Sequence, residues 1–129
     1  DAMLRDMLRV ARRGWAPLPG AAGAYWSSIA HADAASAVVA ALDVPAGIYN
    51  VCDDEPVTRR EFADVAAKAA GAAKPPRLMP TWLGALGGKT MELLSRSQRM
   101  TNQKLKDASG WGPAWPRVRE GIPAAARHT

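Results

Sequence analysis

One cysteine, one phenylalanine and only 22 Leu, Ile, Val and Phe residues in all are what this 129-residue chain has least of. The single thiol, Cys52, excludes a disulfide scaffold and a cysteine-based zinc site. No apolar run approaches the ~18 residues of a helical membrane span. The large apolar residues make up about 17% of the chain, below the roughly 20% at which disorder starts to compete. The 48% apolar share rests instead on 27 alanines, with five Trp and five Met adding bulk. A glycine-rich dinucleotide loop is also missing: neither G-x-G-x-x-G nor G-x-x-G-x-x-G occurs. Gly84, Gly87 and Gly88 come nearest, but no strand precedes them, and they read as a helix stop. The first residue is Asp1, with no charged n-region and apolar h-region behind it. The opening reads as cut from a longer chain, in a reducing, cytoplasmic setting.

What is present falls into helical and extended pieces. Met3, Leu4, Met7, Leu8 and Ala11 predict a helix over residues 3–12, ended by Gly14 and Pro17. Residues 24–30 suit a short extended run. Asp33 suits the N-cap of a helix over 34–42, with Val38, Val39 and Leu42 as its buried stripe. Residues 48–52, I-Y-N-V-C, make the best strand in the chain. Thr58 and Glu61 form a capping-box pattern for a helix carrying Phe62, Val65, Ala66 and Ala69 on one face and stopping at Gly71. Residues 72–80, with three prolines, read as a linker or extended arm. Thr81 caps a short helix ending at Gly87-Gly88. Helices follow over 89–94 and 101–108, the latter stopped by Gly110. A last one starts near Pro116 and runs to about residue 126.

One strand, or two, cannot close a sheet, because its unpaired N–H and C=O rows would be buried at a cost. Helix–strand–helix order around residues 48–52 therefore suits the edge of a parallel α/β sheet whose other strands lie elsewhere. Charge is uneven as well. Residues 1–88 are neutral overall, and the whole net charge of +5 sits in residues 89–129, which suggests an anionic ligand or partner there.

The segment from Trp26 to Glu61 resembles the extended short-chain dehydrogenase/reductases, the NAD-dependent epimerase/dehydratase family. Gly47, Tyr49, Asn50, Val51, Asp53, Glu55, Pro56 and Thr58 fit that family's G-x-Y-N-V-x-D-x-E-P-V-T block without a gap. Residues 96–106, the G-W-G-P of Gly110 to Pro113, and residues 116–122 match its closing blocks in order. Two positions depart from the pattern. The family's His-Val-Asp-Asp becomes Ala30-His31-Ala32-Asp33, and its Ser in P-S-V-R-E-G is Arg117. His31 reads as a surface or packing histidine rather than a proton shuttle. Asp33 can still supply a helix cap and a fold-closing hydrogen bond.

The resemblance implies a catalytic Tyr four residues before a Lys, but Tyr25 is followed at that spacing by Ile29 and Tyr49 by Asp53. No catalytic residue is therefore assigned. The chain maps onto the C-terminal part of a Rossmann-type fold, mostly helical with one or two short parallel strands. Residues 1–57 would be the last helix–strand units of the sheet, and 58–129 a small, mostly helical substrate-binding portion. NAD or NADP would serve the full-length enzyme, with none bound by this chain alone. The implied partners are an upstream cofactor-binding domain and a small-molecule substrate, with neither membrane nor metal.

The implied substrate-binding residues are Trp26, Ser27 and Ser28 on one side and Arg96, Gln98 and Arg99 on the other. The arginines offer a fork for the diphosphate of a nucleotide sugar, or else pair with acids such as Glu92. Trp111 and Trp115 read as packing anchors, Cys52 as inert, and Asp53, Asp54 and Glu55 as strand-end polarity. The expected function is the substrate-binding portion of an epimerase, dehydratase or reductase acting on a sugar-nucleotide-like or other small hydroxyl or carbonyl compound. Two readings compete with it. One is a non-enzymatic module using the basic last third for an anionic partner, nucleic acid fitting poorly for want of a recognition motif. The other is a regulatory protein that kept the fold without its chemistry.

Overall fold

The helical spacing near the start produces α1 (Ala2–Arg12), which buries Leu8 and Ala11. Gly14 turns the chain at φ +82° into β1 (Trp15–Ala16). A second extended pair, β2 (Tyr25–Trp26), is followed by α2 (His31–Ala41). Then come β3 (Val57–Thr58), α3 (Arg59–Ala69) and β4 (Arg77–Leu78). Three helices complete the order: α4 (Gly88–Ser95), α5 (Gln103–Ser109) and α6 (Val118–Ala126). The computed structural model describes residues 2–82 and 87–127. Among them, no helix is long and apolar enough to cross a membrane.

The strands form two minimal ladders. β1 runs parallel to β4, with Trp15 opposite Arg77 and Ala16 opposite Leu78. β2 runs antiparallel to β3, with Tyr25 opposite Thr58 and Trp26 opposite Val57. The proline-rich stretch over 72–80 is thus an extended arm that adds one strand beside β1.

The core answers the shortage of large aliphatic residues. Ala63, Ala66, Ala67 and Ala70 are all buried along α3, and such small side chains let α1 and α6 approach its backbone closely. Leu8, Phe62, Val118 and Ile122 fill the space between. Arg12 Nε donates to Ala70 O at 3.0 Å and ties α1 to the end of α3. A second cluster joins Ala37 of α2, Leu105 of α5 and Trp111, with Ile29, Tyr49 and Val51 against it.

The capping box forms as the pattern requires. Thr58 Oγ1 accepts the Glu61 N–H at 3.2 Å, and Glu61 Oε2 accepts the Thr58 N–H at 2.8 Å. Gly71 and Gly110 stop their helices in the left-handed conformation, at φ +72° and +70°.

Several expectations are corrected. Residues 48–52 form no strand, and Ile48 is 86% exposed. A strand needs a ladder partner, and among the described residues no backbone–backbone bond is made by residues 48–52; the nearest run from Asp53 N–H to Ser28 O at 2.8 Å and from Asp54 N–H to Pro116 O at 3.0 Å. Asp33 is not an N-cap. Its helix starts at His31, Ala30 holds the cap position without a side-chain bond, and Asp33 lies in the first turn, buried. Val38, Val39 and Leu42 form no buried stripe, being 66%, 65% and 79% exposed. Gly88 opens α4 rather than ending a helix. Thr81 is helical, but most of the helix expected after it lies outside the described residues. Pro116 precedes α6 by two residues, and Arg117 holds the cap position with no side-chain cap bond.

Candidate substrate cleft

Residues 96–100 lie along β2 and bring the two expected sides of the site together. Gln98 N–H donates to Tyr25 O at 3.2 Å, and Tyr25 N–H donates to Ser97 Oγ at 3.0 Å. Ser27 Oγ donates to Gln98 O at 3.0 Å and accepts the Met100 N–H at 3.4 Å. Beneath this seam sits Arg59, 0% exposed, whose Nη2 donates to Leu94 O at 2.7 Å and Arg96 O at 3.0 Å. Burial lowers its pKa. The guanidinium also lies 5.3 Å from the Trp26 ring centroid, and Trp26 meets Phe62 at 6.3 Å in a tilted pair. Arg59 therefore fixes the end of α4 and the Trp26 indole from one position.

A cleft of about 1060 Å³ opens beside this seam. Met7, Leu18, Trp26, Phe62, Trp115 and Ile122 supply much of its apolar lining. Ser27, Ser28, His31 and Asp53 also reach it. Of the six residues implied by the resemblance, Trp26, Ser27 and Ser28 line the cleft, whereas Arg96, Gln98 and Arg99 are not among its described lining residues. Arg96 instead pairs with Glu92 at 3.4 Å, and Arg99 lies 5.3 Å from the Tyr25 ring centroid. Gln98 takes part through its main chain. Arg117 pairs with Glu55 at 3.4 Å and Glu120 at 3.3 Å.

Three carboxylates, Asp33 in the first turn of α2 and Asp53 and Asp54 at the end of the 48–54 segment, have different partners, the first two buried and Asp54 exposed. Asp33 Oδ1 and Oδ2 accept the N–H groups of Ala114 and Trp115 at 2.8 and 2.9 Å. Asp54 accepts from Asn102 Nδ2 at 2.7 Å and Lys106 Nζ at 2.8 Å. Burial raises its pKa, but those two donors outweigh it and leave the carboxyl below its ordinary value. Asp53 Oδ2 accepts from Ser28 Oγ at 2.9 Å, while its buried Oδ1 has no partner among the described residues. Burial chiefly, with the nearby charges of Asp33 and Asp54, pushes Asp53 up to about 6 against the lowering effect of Ser28. Among the described residues no group of His, Cys, Asp and Glu could hold a metal ion. Cys52 is buried, and burial raises its pKa, which keeps the thiol protonated and unreactive.

Sequence reasoning missed Phe62 as part of the wall and Arg59 as the support beneath Trp26, and read Asp53 only as strand-end polarity. Phe62 follows the capping box on the apolar face of α3, a usable pointer. Nothing local marks Arg59, whose contacts lie 35 and 37 residues away. Trp111 is a packing anchor, buried with its indole N–H on Ser36 Oγ at 2.9 Å, whereas Trp115 is 38% exposed at the cleft.

The residues of this chain do not fit a dinucleotide cradle. Gly87 holds the cap position of α4 and Gly88 opens it, and among the described residues no strand–turn–helix carries the glycines of a pyrophosphate loop.

No family model matches the chain. A 3-diazoavenalumate denitrifying reductase from a Streptomyces species is 33% identical over 112 residues, covering 84% of this chain. The chain spans 36% of that reductase's length. Human epimerase family protein SDR39U1 (isoform 2), solved with NADPH, matches with a TM-score of 0.85 at 19% identity, over 98% of this chain and 43% of its own. The UDP-glucose 4-epimerase of Thermus thermophilus, solved with NAD, matches with a TM-score of 0.68 at 28% identity, over 97% of this chain and 39% of its own. In fold, the chain corresponds to the C-terminal portion of extended short-chain dehydrogenase/reductases of the NAD-dependent epimerase/dehydratase type.

Proposed function

We propose that this chain is the substrate-binding portion of an NAD(P)-dependent reductase, epimerase or dehydratase. It would hold a small hydroxyl or carbonyl compound in place while an upstream domain supplies the cofactor, the Tyr and the Lys. The observation that carries this reading is the cleft wall formed by Trp26, Ser27 and Ser28, held by hydrogen bonds to residues 97–100. Arg96, Gln98 and Arg99 lie outside that lining, and of the three Gln98 supports the wall through its main chain. Residues 1–57 would complete the sheet of the cofactor domain and 58–129 carry the helical substrate side. Both apolar clusters draw on both parts. The exposed Val38, Val39 and Leu42 give the upstream domain an apolar face to cover. The cytoplasmic setting expected from the sequence belongs to the same reading.

The test uses the complete encoded protein. NADPH or NADH binding is followed by nicotinamide fluorescence, and turnover is screened on a panel of ketones, aldehydes and UDP-sugars. Trp26→Ala is expected to raise KM about tenfold or more for the accepted compound while the Kd for NAD(P)H stays unchanged. A complete protein that binds neither nicotinamide would overturn the proposal.

A further inference from the structure

We propose that the cleft takes an uncharged, largely apolar small molecule carrying a hydrogen-bond donor, with Ser28 and Asp53 as its polar anchor, and that it rejects phosphorylated ligands. This rests on the reading of the cleft as a substrate site and narrows the substrate class.

Among the described lining residues the ionisable side chains are Asp6, His31, Asp53 and Arg127. A diphosphate needs guanidinium or ammonium groups around it. Arg96 and Arg99 would have supplied two forks, but both lie outside the lining, and Arg96 is held by Glu92. A phosphorylated ligand would instead meet the carboxylate of Asp53 and that of Asp6, which pairs with Arg9 at 2.9 Å, with Arg127 as the one arginine among the described lining residues. The rest of the wall is aromatic and aliphatic, with Trp26, Phe62 and Trp115 offering ring faces to a flat apolar body.

The second observation is the state of Asp53. The residue is 9% exposed and lines the cleft, and its Oδ2 is engaged by Ser28. Its Oδ1 is buried with no donor among the described residues. A buried acceptor left unpaired costs free energy that a ligand O–H or N–H removes on binding. An ionised carboxyl only accepts, so the complementary ligand group is a donor. Ser28 Oγ, which spends its proton on Asp53, keeps lone pairs for a second donor.

Three probes sharing one ring system separate these points: 1-naphthol, 1-naphthyl phosphate and naphthalene, with UDP-glucose as a fourth. Each is titrated by calorimetry into the complete encoded protein loaded with NADPH. We expect 1-naphthol to bind at least about tenfold tighter than 1-naphthyl phosphate and than naphthalene. Asp53→Ala should erase most of the advantage of 1-naphthol over naphthalene. Asp53→Asn, an isosteric control for folding, should raise the affinity of 1-naphthyl phosphate several-fold by removing the repelling charge. Trp26→Ala should weaken all the naphthalene probes together. Tighter binding of 1-naphthyl phosphate or UDP-glucose than of 1-naphthol overturns the inference, as does no binding of any probe or indifference of 1-naphthol to Asp53→Ala. NADPH binding is read in the same experiment, so its loss strikes the broader reading, whereas phosphate preference with NADPH bound strikes this one alone.

Discussion

Asp33 and Trp115 are joined by a hydrogen bond of 2.9 Å from the Trp115 backbone N–H to Asp33 Oδ2, across 82 residues of sequence. The other oxygen takes the Ala114 N–H at 2.8 Å, and the aspartate is only 2% exposed. One carboxylate thus closes the 110–117 loop onto the first turn of α2. That closure sets Trp115 at the cleft and brings Trp111 over Ser36.

Replacing that carboxylate tests its structural role. Hydrogen bonds to a charged acceptor contribute about 1.5–3 kcal/mol each, and Asn offers one oxygen where two N–H groups converge. Asp33→Asn is expected to lower unfolding free energy by about 3 kcal/mol in urea titrations followed by Trp fluorescence. A change within about 0.5 kcal/mol, typical of an ordinary surface substitution, would refute the role.

Asp53 makes stability depend on pH in a particular direction. Its folded-state pKa is raised from 3.8 to about 6, chiefly by burial, so the folded protein holds the proton to higher pH than the unfolded chain does. The stabilising contribution is complete below about 3.8 and is lost as pH rises through about 6. Relative to Asp53→Asn, the natural protein should lose on the order of 2–3 kcal/mol between pH 4 and pH 7. Asp54, whose pKa is lowered, works in the opposite sense, but it is common to both proteins and cancels. Thermal melts of the pair across that range check the prediction, and parallel profiles would contradict it.

Gly20 sits where no side chain fits. Its φ is +101°, and an added Cβ would lie 2.7 Å from Ser95 O and 3.1 Å from Arg59 Cζ. The oxygen is backbone and cannot swing aside. Gly20→Ala should therefore cost on the order of 2 kcal/mol or more. It should also loosen Trp26, which rests on the same guanidinium, and raise the mobility of the indole in fluorescence anisotropy. Unchanged stability would show that this contact carries no strain.

Residues 48–52 yield a prediction about the complete encoded protein. Among the described residues the N–H groups of Tyr49 and Val51 meet no acceptor, while both side chains pack on Leu105 and Trp111. If the upstream domain supplies the missing sheet, these amides should exchange with deuterium as slowly as a sheet interior. The exposed face of α2 should be shielded from carbene footprinting at the same time. Loop-like exchange at Tyr49 and Val51 would argue against a shared sheet.

How far the sequence could be read depended on the range of the interactions. The Thr58–Glu61 capping box, the stops at Gly71 and Gly110 and the helix of Met3 to Ala11 were legible, because each is settled within a few residues by backbone hydrogen bonding and side-chain spacing. The family resemblance pointed to six residues, of which Trp26, Ser27 and Ser28 line the cleft while Arg96, Gln98 and Arg99 stand outside its described lining. Asp33 was legible only in part. Its fold-closing bond could be anticipated, but a cap position cannot be told from a first-turn position when the receiving N–H groups lie some eighty residues away.

Residue chemistry and local spacing alone made this a helical, alanine-packed chain with no dinucleotide loop and no Tyr-x-x-x-Lys pair of its own. Tertiary contact decided the rest. It exposed Val38, Val39 and Leu42, left residues 48–52 without a ladder, buried Arg59 under Trp26, and turned Arg96 toward Glu92 rather than into the cleft. Hydrophobic periodicity says which face of a helix is apolar, but what covers that face, and which cation meets which anion, depends on segments distant in sequence arriving at the same place.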